Sequence, residues 1–286
     1  MSAPEPIAGG VCAVAGFRAA AAAGGIKHAD SDRLDCALFH TPAAAHIAGV
    51  FTTNRVRAAS VQWTEGVCVR GTARAVFINS GNANAATGAQ GIEDVQAIAE
   101  QVCLGLDIPI TEVAIGQTGV IGVPLPMDRL QRGLAACLDD LGPDDEAAAR
   151  AIMTTDTAPK RAACRVQLSH GPVTIGGVAK GAGMIQPNMA TMLCLIATDA
   201  RAELPALQAI VRAAADDSFH CIAVDNDLST NDTLLLMANG AAEQPAVAPD
   251  TEDYARLLAG VRHVCISLVQ QIVRDGECPT KFVEID

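Results

Sequence analysis

The residue best placed to do covalent chemistry is Thr191, because of the loop that delivers it. Lys180-Gly181-Ala182-Gly183-Met184-Ile185-Gln186-Pro187-Asn188-Met189-Ala190 carries two glycines and a proline and feeds the apolar run 191–197. A short apolar run bounded by such a turn reads as a buried strand. A threonine at its start has two readings. It is a β-branched residue opening a strand, which spacing alone favours, or it is a hydroxyl nucleophile freed by cleavage of the chain after small Ala190.

The familiar alternatives are missing. The sequence has no GxSxG nucleophile turn, no GxxxxGK[ST] phosphate loop and no HExxH pair. Its six histidines are dispersed, and His220, beside an expected strand at 221–224, reads as structural. The ten cysteines stand singly, without the CxxC or Cys/His spacing of a zinc site. Several lie in apolar runs, where Cys behaves as a small hydrophobe, and a reducing cytosol suits them.

A nucleophile needs a rigid body around it, and the composition supplies one. Half of the 286 residues are hydrophobic, 18% are charged and 3% are aromatic, which suits a packed core of Ala, Val, Ile and Leu rather than disorder. The net charge of −12, with no Lys/Arg cluster, argues against nucleic acid or an anionic membrane as partner. The Ala-rich stretch 11–26 lacks a basic leader and is interrupted by Arg18 and by glycines, so it does not read as a signal peptide. No apolar run is long enough to span a bilayer. A cytoplasmic location is expected.

The elements that must position the loop follow a mixed α/β order. Strands are expected at 36–39, 46–51 and 74–78, the last running into the turn-rich residues 79–84. Ile92, Val95, Ile98, Val102 and Leu106 recur at helical spacing. A second helix begins near Pro126, with Met127, Leu130, Leu134, Leu138 and Leu141 on one face. Asp144-Asp145-Glu146 opens a third, where acidic residues suit the positive N-terminal end. Residues 164–169 and 173–178 read as a hairpin. Leu204, Leu207, Ile210, Val211 and Ala214 make a further amphipathic helix. Strands at 221–224 and 234–237, a surface loop at 239–253 and a long helix with Leu257, Val261, Cys265, Leu268 and Ile272 inward complete the body. A last strand is expected at 280–285.

Eight blocks in order give the chain a family likeness. GFRAAAAAGGIK (16–27), AGVFTTNRVRAA (48–59), NSGNANAATG (79–88), TGVIG (118–122) and MTTDTAPK (153–160) lead to KGAGMIQPNMATMLCLIATDA (180–200). DNDLSTNDTLLLMANG (225–240) and QIVRDGECPTKF (271–282) follow. Together they resemble the bifunctional glutamate N-acetyltransferase/ornithine acetyltransferase family of arginine biosynthesis, the ArgJ family. The resemblance implies a mixed α+β, N-terminal-nucleophile-like fold of layered sheets flanked by helices, as in ornithine acetyltransferase and DmpA. It also implies self-cleavage between Ala190 and Thr191, giving an α chain 1–190 and a β chain 191–286.

By the same resemblance Thr191 is the nucleophile, and its new α-amine serves as general base, so no His or Asp partner is needed. Thr118 and Gly119 stabilise the oxyanion, although alone they would read as an ordinary turn. Thr154, Lys180, Thr191 and Glu277 bind substrate, with Lys180 on the α-carboxylate and Thr154 chosen over Thr155; alone, Lys180 and Glu277 would read as solvated charges. The implied reaction is ping-pong: acetyl passes from N2-acetylornithine to Thr191 and then to glutamate. No metal or bound cofactor is implied, and acetyl-CoA, a donor for some members, stays open as co-substrate. The implied assembly is a heterotetramer of two α and two β chains.

The sequence departs from the family pattern in three places. It stops at Asp286, where members ordinarily continue for on the order of a hundred residues, enough for a further sub-domain. Gly116-Gln117 stands where small hydroxyl residues are commoner, and Asn226 and Leu228 alter a usually Gly- and Thr-containing stretch. Two rival readings therefore stay open: a paralogue with another acyl or amino-acid substrate, and an inactive truncated remnant.

Overall fold

The structure is a computed structural model that describes residues 3–185, 192–225, 227–277 and 280–284. Its strands are β1 (Glu5–Ile7), β2 (Arg18–Ala22), β3 (Cys36–Phe51), β4 (Thr72–Asn79), β5 (Val113–Gln117), β6 (Lys160–Leu168), β7 (Gly171–Lys180), β8 (Leu193–Thr198) and β9 (Thr233–Ala238). The helices are α1 (Ala59–Arg70), α2 (Gly88–Leu106), α3 (Met127–Asp139), α4 (Glu146–Ala151), α5 (Leu204–Asp216) and α6 (Glu252–Arg274). No helix among the described residues is long and apolar enough to cross a membrane.

The strands join in the order β1-β6-β7-β8-β9-β3-β4-β5, with β2 added to β3. The pairs β8–β9 and β4–β5 are parallel and the rest antiparallel. The strands expected at 36–39 and 46–51 are the two ends of β3, whose register against β4 shifts between His40 and Ala45. Its first half pairs with β2 and its second with β9, so β3 carries the ladder from one layer to the other.

Alternation along the strands shows how the layers stack, because successive side chains point to opposite faces. On β8, Leu193, Leu195 and Ala197 enter a central cluster, while Cys194 and Ile196 pack beneath α5 and α6. On β4, Val76 and Ile78 enter the same central cluster, while Ala75 and Phe77 face α2 and α3. The two halves of the sheet thus pack face to face between outer helices. The centre is closed by Phe39, Ile47, Val178, Leu195 and Leu235, all buried. Each such side chain contributes about 1.5–3 kcal/mol by leaving water.

Most expected elements lie where sequence placed them, including α3, α5, the β6–β7 hairpin and the buried face of α6. Ile92 differs: it is 51% exposed, while Val95, Ile98 and Val102 carry the buried face of α2. Two strands are corrections. Residues 221–224 follow a 3-10 turn at Phe219–Cys221, and the amides of Val224 and Asp225 both donate to the Ile185 carbonyl instead of to a ladder. The strand expected at 280–285 is absent from its described part, 280–284, because neither sheet edge takes it; Arg274 packs over the Phe282 ring instead.

Candidate active site

Five segments meet at one cavity of about 330 Å³. Thr118 and Gly119 follow β5, Thr154 follows α4, Lys180 ends β7, Asn231 precedes β9 and Glu277 follows α6; all six residues line it. The structure therefore brings together every described site residue that sequence nominated. Thr155 lines the cavity beside Thr154. Ala190 and Thr191 lie outside the described residues. Their described neighbour Met192 leads into β8, and its N–H donates to the buried Asp232 Oδ1 at 3.1 Å.

The turn after β5 is held from below by amides. Gln117 Nε2 donates to Asn79 Oδ1 at 2.9 Å, and Asn84 Nδ2 donates to Gln117 Oε1 at 3.0 Å. Asn231 Nδ2 donates to the carbonyls of Ala83 and Gln117. Gln117 is thus wired into the support of the turn. Gly119 has φ +133°, and a Cβ there would lie 2.3 Å from the Gly81 carbonyl carbon, so only glycine fits.

This wiring decides which groups can serve an oxyanion. The Thr118 N–H is already donated to the Asn79 carbonyl at 3.0 Å. Lys180 Nζ donates to Thr118 Oγ1 at 3.2 Å. An ammonium has only donors, so Thr118 Oγ1 accepts this bond and keeps its own O–H for another acceptor. The Thr118 hydroxyl thus keeps a donor on the cavity wall, with Gly119 beside it in the lining.

Lys180 is 3% exposed. Burial pulls its ammonium below the ordinary lysine range, while the carboxylates of Asp156, Asp232 and Glu277 oppose that fall. Burial would also raise Asp156, but Lys180 and Lys160 outweigh it and hold that carboxyl low. Cavity and cation together suit a small carboxylate-bearing ligand. Among the described residues no group of three or more His, Cys, Asp or Glu is gathered for a metal. Burial pushes the thiols of Cys12, Cys68, Cys137, Cys164 and Cys265 up to about 12, which leaves them inert at neutral pH.

Sequence reading missed the groups that hold these residues. Arg33 Nη2 donates to the carbonyls of Met153 and Thr154 at 2.9 and 2.8 Å. Asp156 Oδ2 accepts the Thr154 N–H at 3.0 Å, and Asp156 Oδ1 accepts the Gly181 N–H at 2.7 Å. The block MTTDTAPK contains both Asp156 and Lys160, and its charged residues were the available signal.

A model of the ArgJ family matches residues 18–286. The arginine biosynthesis bifunctional protein ArgJ of Symbiobacterium thermophilum is 47% identical over 282 residues, which cover 98% of this chain and 70% of the relative. Ornithine acetyltransferase from Mycobacterium tuberculosis, solved in complex with ornithine, is similar at TM-score 0.60 and 41% identity. That match covers 66% of this chain and 100% of the solved one. The l-aminopeptidase d-Ala-esterase/amidase of Ochrobactrum anthropi, described as a new variant among the Ntn hydrolase fold, matches at TM-score 0.51 and 12% identity, over 93% of this chain and 89% of its own. This last likeness is one of fold alone, and with the four stacked layers it bears out the fold class read from sequence.

Proposed function

Because this chain belongs to the ArgJ family, we propose that it is an acetyltransferase of arginine biosynthesis that moves acetyl from N2-acetylornithine to glutamate through Thr191. The observation that carries the reading is the convergence of Thr118, Gly119, Thr154, Lys180 and Glu277 on one cavity, with Lys180 hydrogen-bonded to Thr118.

The reaction begins with self-cleavage. The Thr191 hydroxyl attacks the Ala190 carbonyl, the acyl group shifts from nitrogen to oxygen, and water hydrolyses the ester. The products are chains 1–190 and 191–286. The solved ornithine acetyltransferase chain is covered completely by 66% of this one. That is about 189 of 286 residues, the length a cut before Thr191 would leave.

The freed α-amine titrates near ~8, so a useful fraction is neutral at pH 7. It takes the Thr191 hydroxyl proton as the oxygen attacks the acetyl carbonyl. The Thr118 O–H and Gly119 N–H receive the oxyanion. Collapse expels ornithine, whose amine leaves with that proton, and the acetyl group stays as an ester on Thr191. The α-amine of glutamate then attacks the ester, and the Thr191 oxygen departs and regains a proton. Lys180 holds the α-carboxylate of each substrate in turn, with Thr154 and Glu277 completing the site. The working unit is a pair of cleaved α/β units, placed in the cytoplasm and needing no bound cofactor; acetyl-CoA is a second donor to assay beside acetylornithine.

Mass spectrometry of the purified protein should find two chains split at Ala190–Thr191, and Thr191→Ala should stay whole. The cleaved protein should gain an acetyl group from acetylornithine and pass it to glutamate. An uncut wild-type chain sinks the self-processing mechanism. Acylation by another donor and none by acetylornithine moves the substrate assignment to a paralogue.

A further inference from the structure

Behind the cavity lies a buried cation that is not part of its lining yet ties three of its walls together. Lys160, at the start of β6, is 1% exposed. Its Nζ donates to Asp156 Oδ1 at 2.7 Å, to Asp275 Oδ2 at 2.6 Å and to the Ala158 carbonyl at 3.2 Å. All three protons of the ammonium are used.

Each carboxylate then holds a different segment. Asp156 binds the amides of Thr154 and Gly181, the latter adjoining Lys180. Asp275 accepts the N–H groups of Thr157 and Ala158 and the Thr157 hydroxyl. Two residues beyond Asp275, the Glu277 N–H donates to the Ala182 carbonyl at 2.8 Å. The Glu277 carboxyl in turn lies against Gly183, where an added Cβ would come within 2.7 Å of it. Burial would raise the Asp275 carboxyl, but its hydrogen bonds from Lys160 and Thr157 hold it low.

We propose that Lys160 is a positioning residue for the cavity, which fastens Glu277 into place through Asp275. The role assigned to Glu277 rests on the function proposed above. Residues 154–183 precede the cut at Ala190 and residues 275–277 follow it, so the Lys160–Asp275 ion pair joins the two product chains. No peptide bond does that work once the chain is cleaved.

The test pairs a substrate-free readout with a kinetic one, both on the full cleaved protein. Hydrogen exchange at the Glu277 amide should quicken in Lys160→Met, while the amides of α6 at residues 257–272 keep their protection. In acetyl transfer, Lys160→Met should raise KM for acetylornithine by about tenfold with a much smaller change in kcat, the size expected for residues coupled through one network. In a Glu277→Gln background the same change should add little. Unchanged protection of the Glu277 amide, or effects on KM that multiply in the double variant, would overturn the proposal. If Lys160→Met does not fold, Asp275→Asn answers the same questions, since it keeps the shape and removes the charge. A wild-type protein without acetyl transfer refutes the substrate reading, and the exchange experiment still decides the clamp.

Discussion

Thr118→Val isolates one hydroxyl. Valine keeps the β-branched shape, and the main-chain bond from Thr118 N to the Asn79 carbonyl is untouched, so the turn is retained. Two things are lost. The first is the O–H left free by the Lys180 bond. Removing one preorganised oxyanion donor costs about 2.7–4 kcal/mol of transition-state stabilisation, or ~10²–10³ in kcat. The second is the acceptor for Lys180, a buried ammonium. Stranding such a group costs about 1–3 kcal/mol, which falls on stability and on carboxylate binding rather than on the chemical step. Single-turnover acylation of Thr191 by acetylornithine, followed by intact mass, separates the two. The acylation rate should fall by ~10²–10³, KM should rise more modestly, and Thr118→Ser should restore most of the rate. A Thr118→Val protein that acylates at the wild-type rate would refute the reasoning, and a pure KM effect would make Thr118 a binding group only.

Gly183→Ala should raise KM for acetylornithine, because the new methyl would come within 2.7 Å of the Glu277 carboxyl and must displace it; unaltered kinetics would remove Glu277 from the site. The pH dependence has two arms. Since burial lowers Lys180, KM for carboxylate substrates should climb on the alkaline side well before an ordinary lysine would titrate, as initial rates against pH would show. Between the folded and unfolded pKa of Lys180 the unfolded chain binds more protons, so this group's contribution to stability rises with pH there. Asp156 and Asp275 are depressed instead. Their contribution is present above the usual aspartate value and is lost as pH falls through their lowered values, which acid melts would show.

The parts of this molecule that were legible in its sequence are those whose signal is local. The run opening at Thr191 announced β8, the Leu257–Ile272 spacing announced the buried face of α6, and two strong runs around Gly171-Pro172 announced the β6–β7 hairpin. Helix α1 went unread because its buried face is Ala59, Ser60, Val61, Thr64, Val67 and Cys68, too small and too polar to show a helical stripe. Residues 221–224 are β-branched and apolar enough for a strand, but Asp225 binds the amides of Met184 and Ile185 and draws the segment to that loop. The candidate site was legible only through family likeness, since Thr118 and Glu277 have no local mark of chemistry. The Lys160–Asp275 pair had no such guide: its partners are separated by 115 residues, and only the folded chain brings them together.

The order of the strands has one more consequence. The cut proposed between β7 and β8 would part the covalent chain but not the ladder, for β7 is paired with β8, and β3 with β9. The second product would then enter the sheet as one wedge, β8 and β9 side by side, gripped by β7 on one flank and β3 on the other. Parting such products would break both the β7–β8 and the β3–β9 ladders, so separation would amount to unfolding. Fragments from different molecules should therefore not trade partners at equilibrium, and a second half made separately must find its place between β7 and β3 of the first before its two strands have flanking partners.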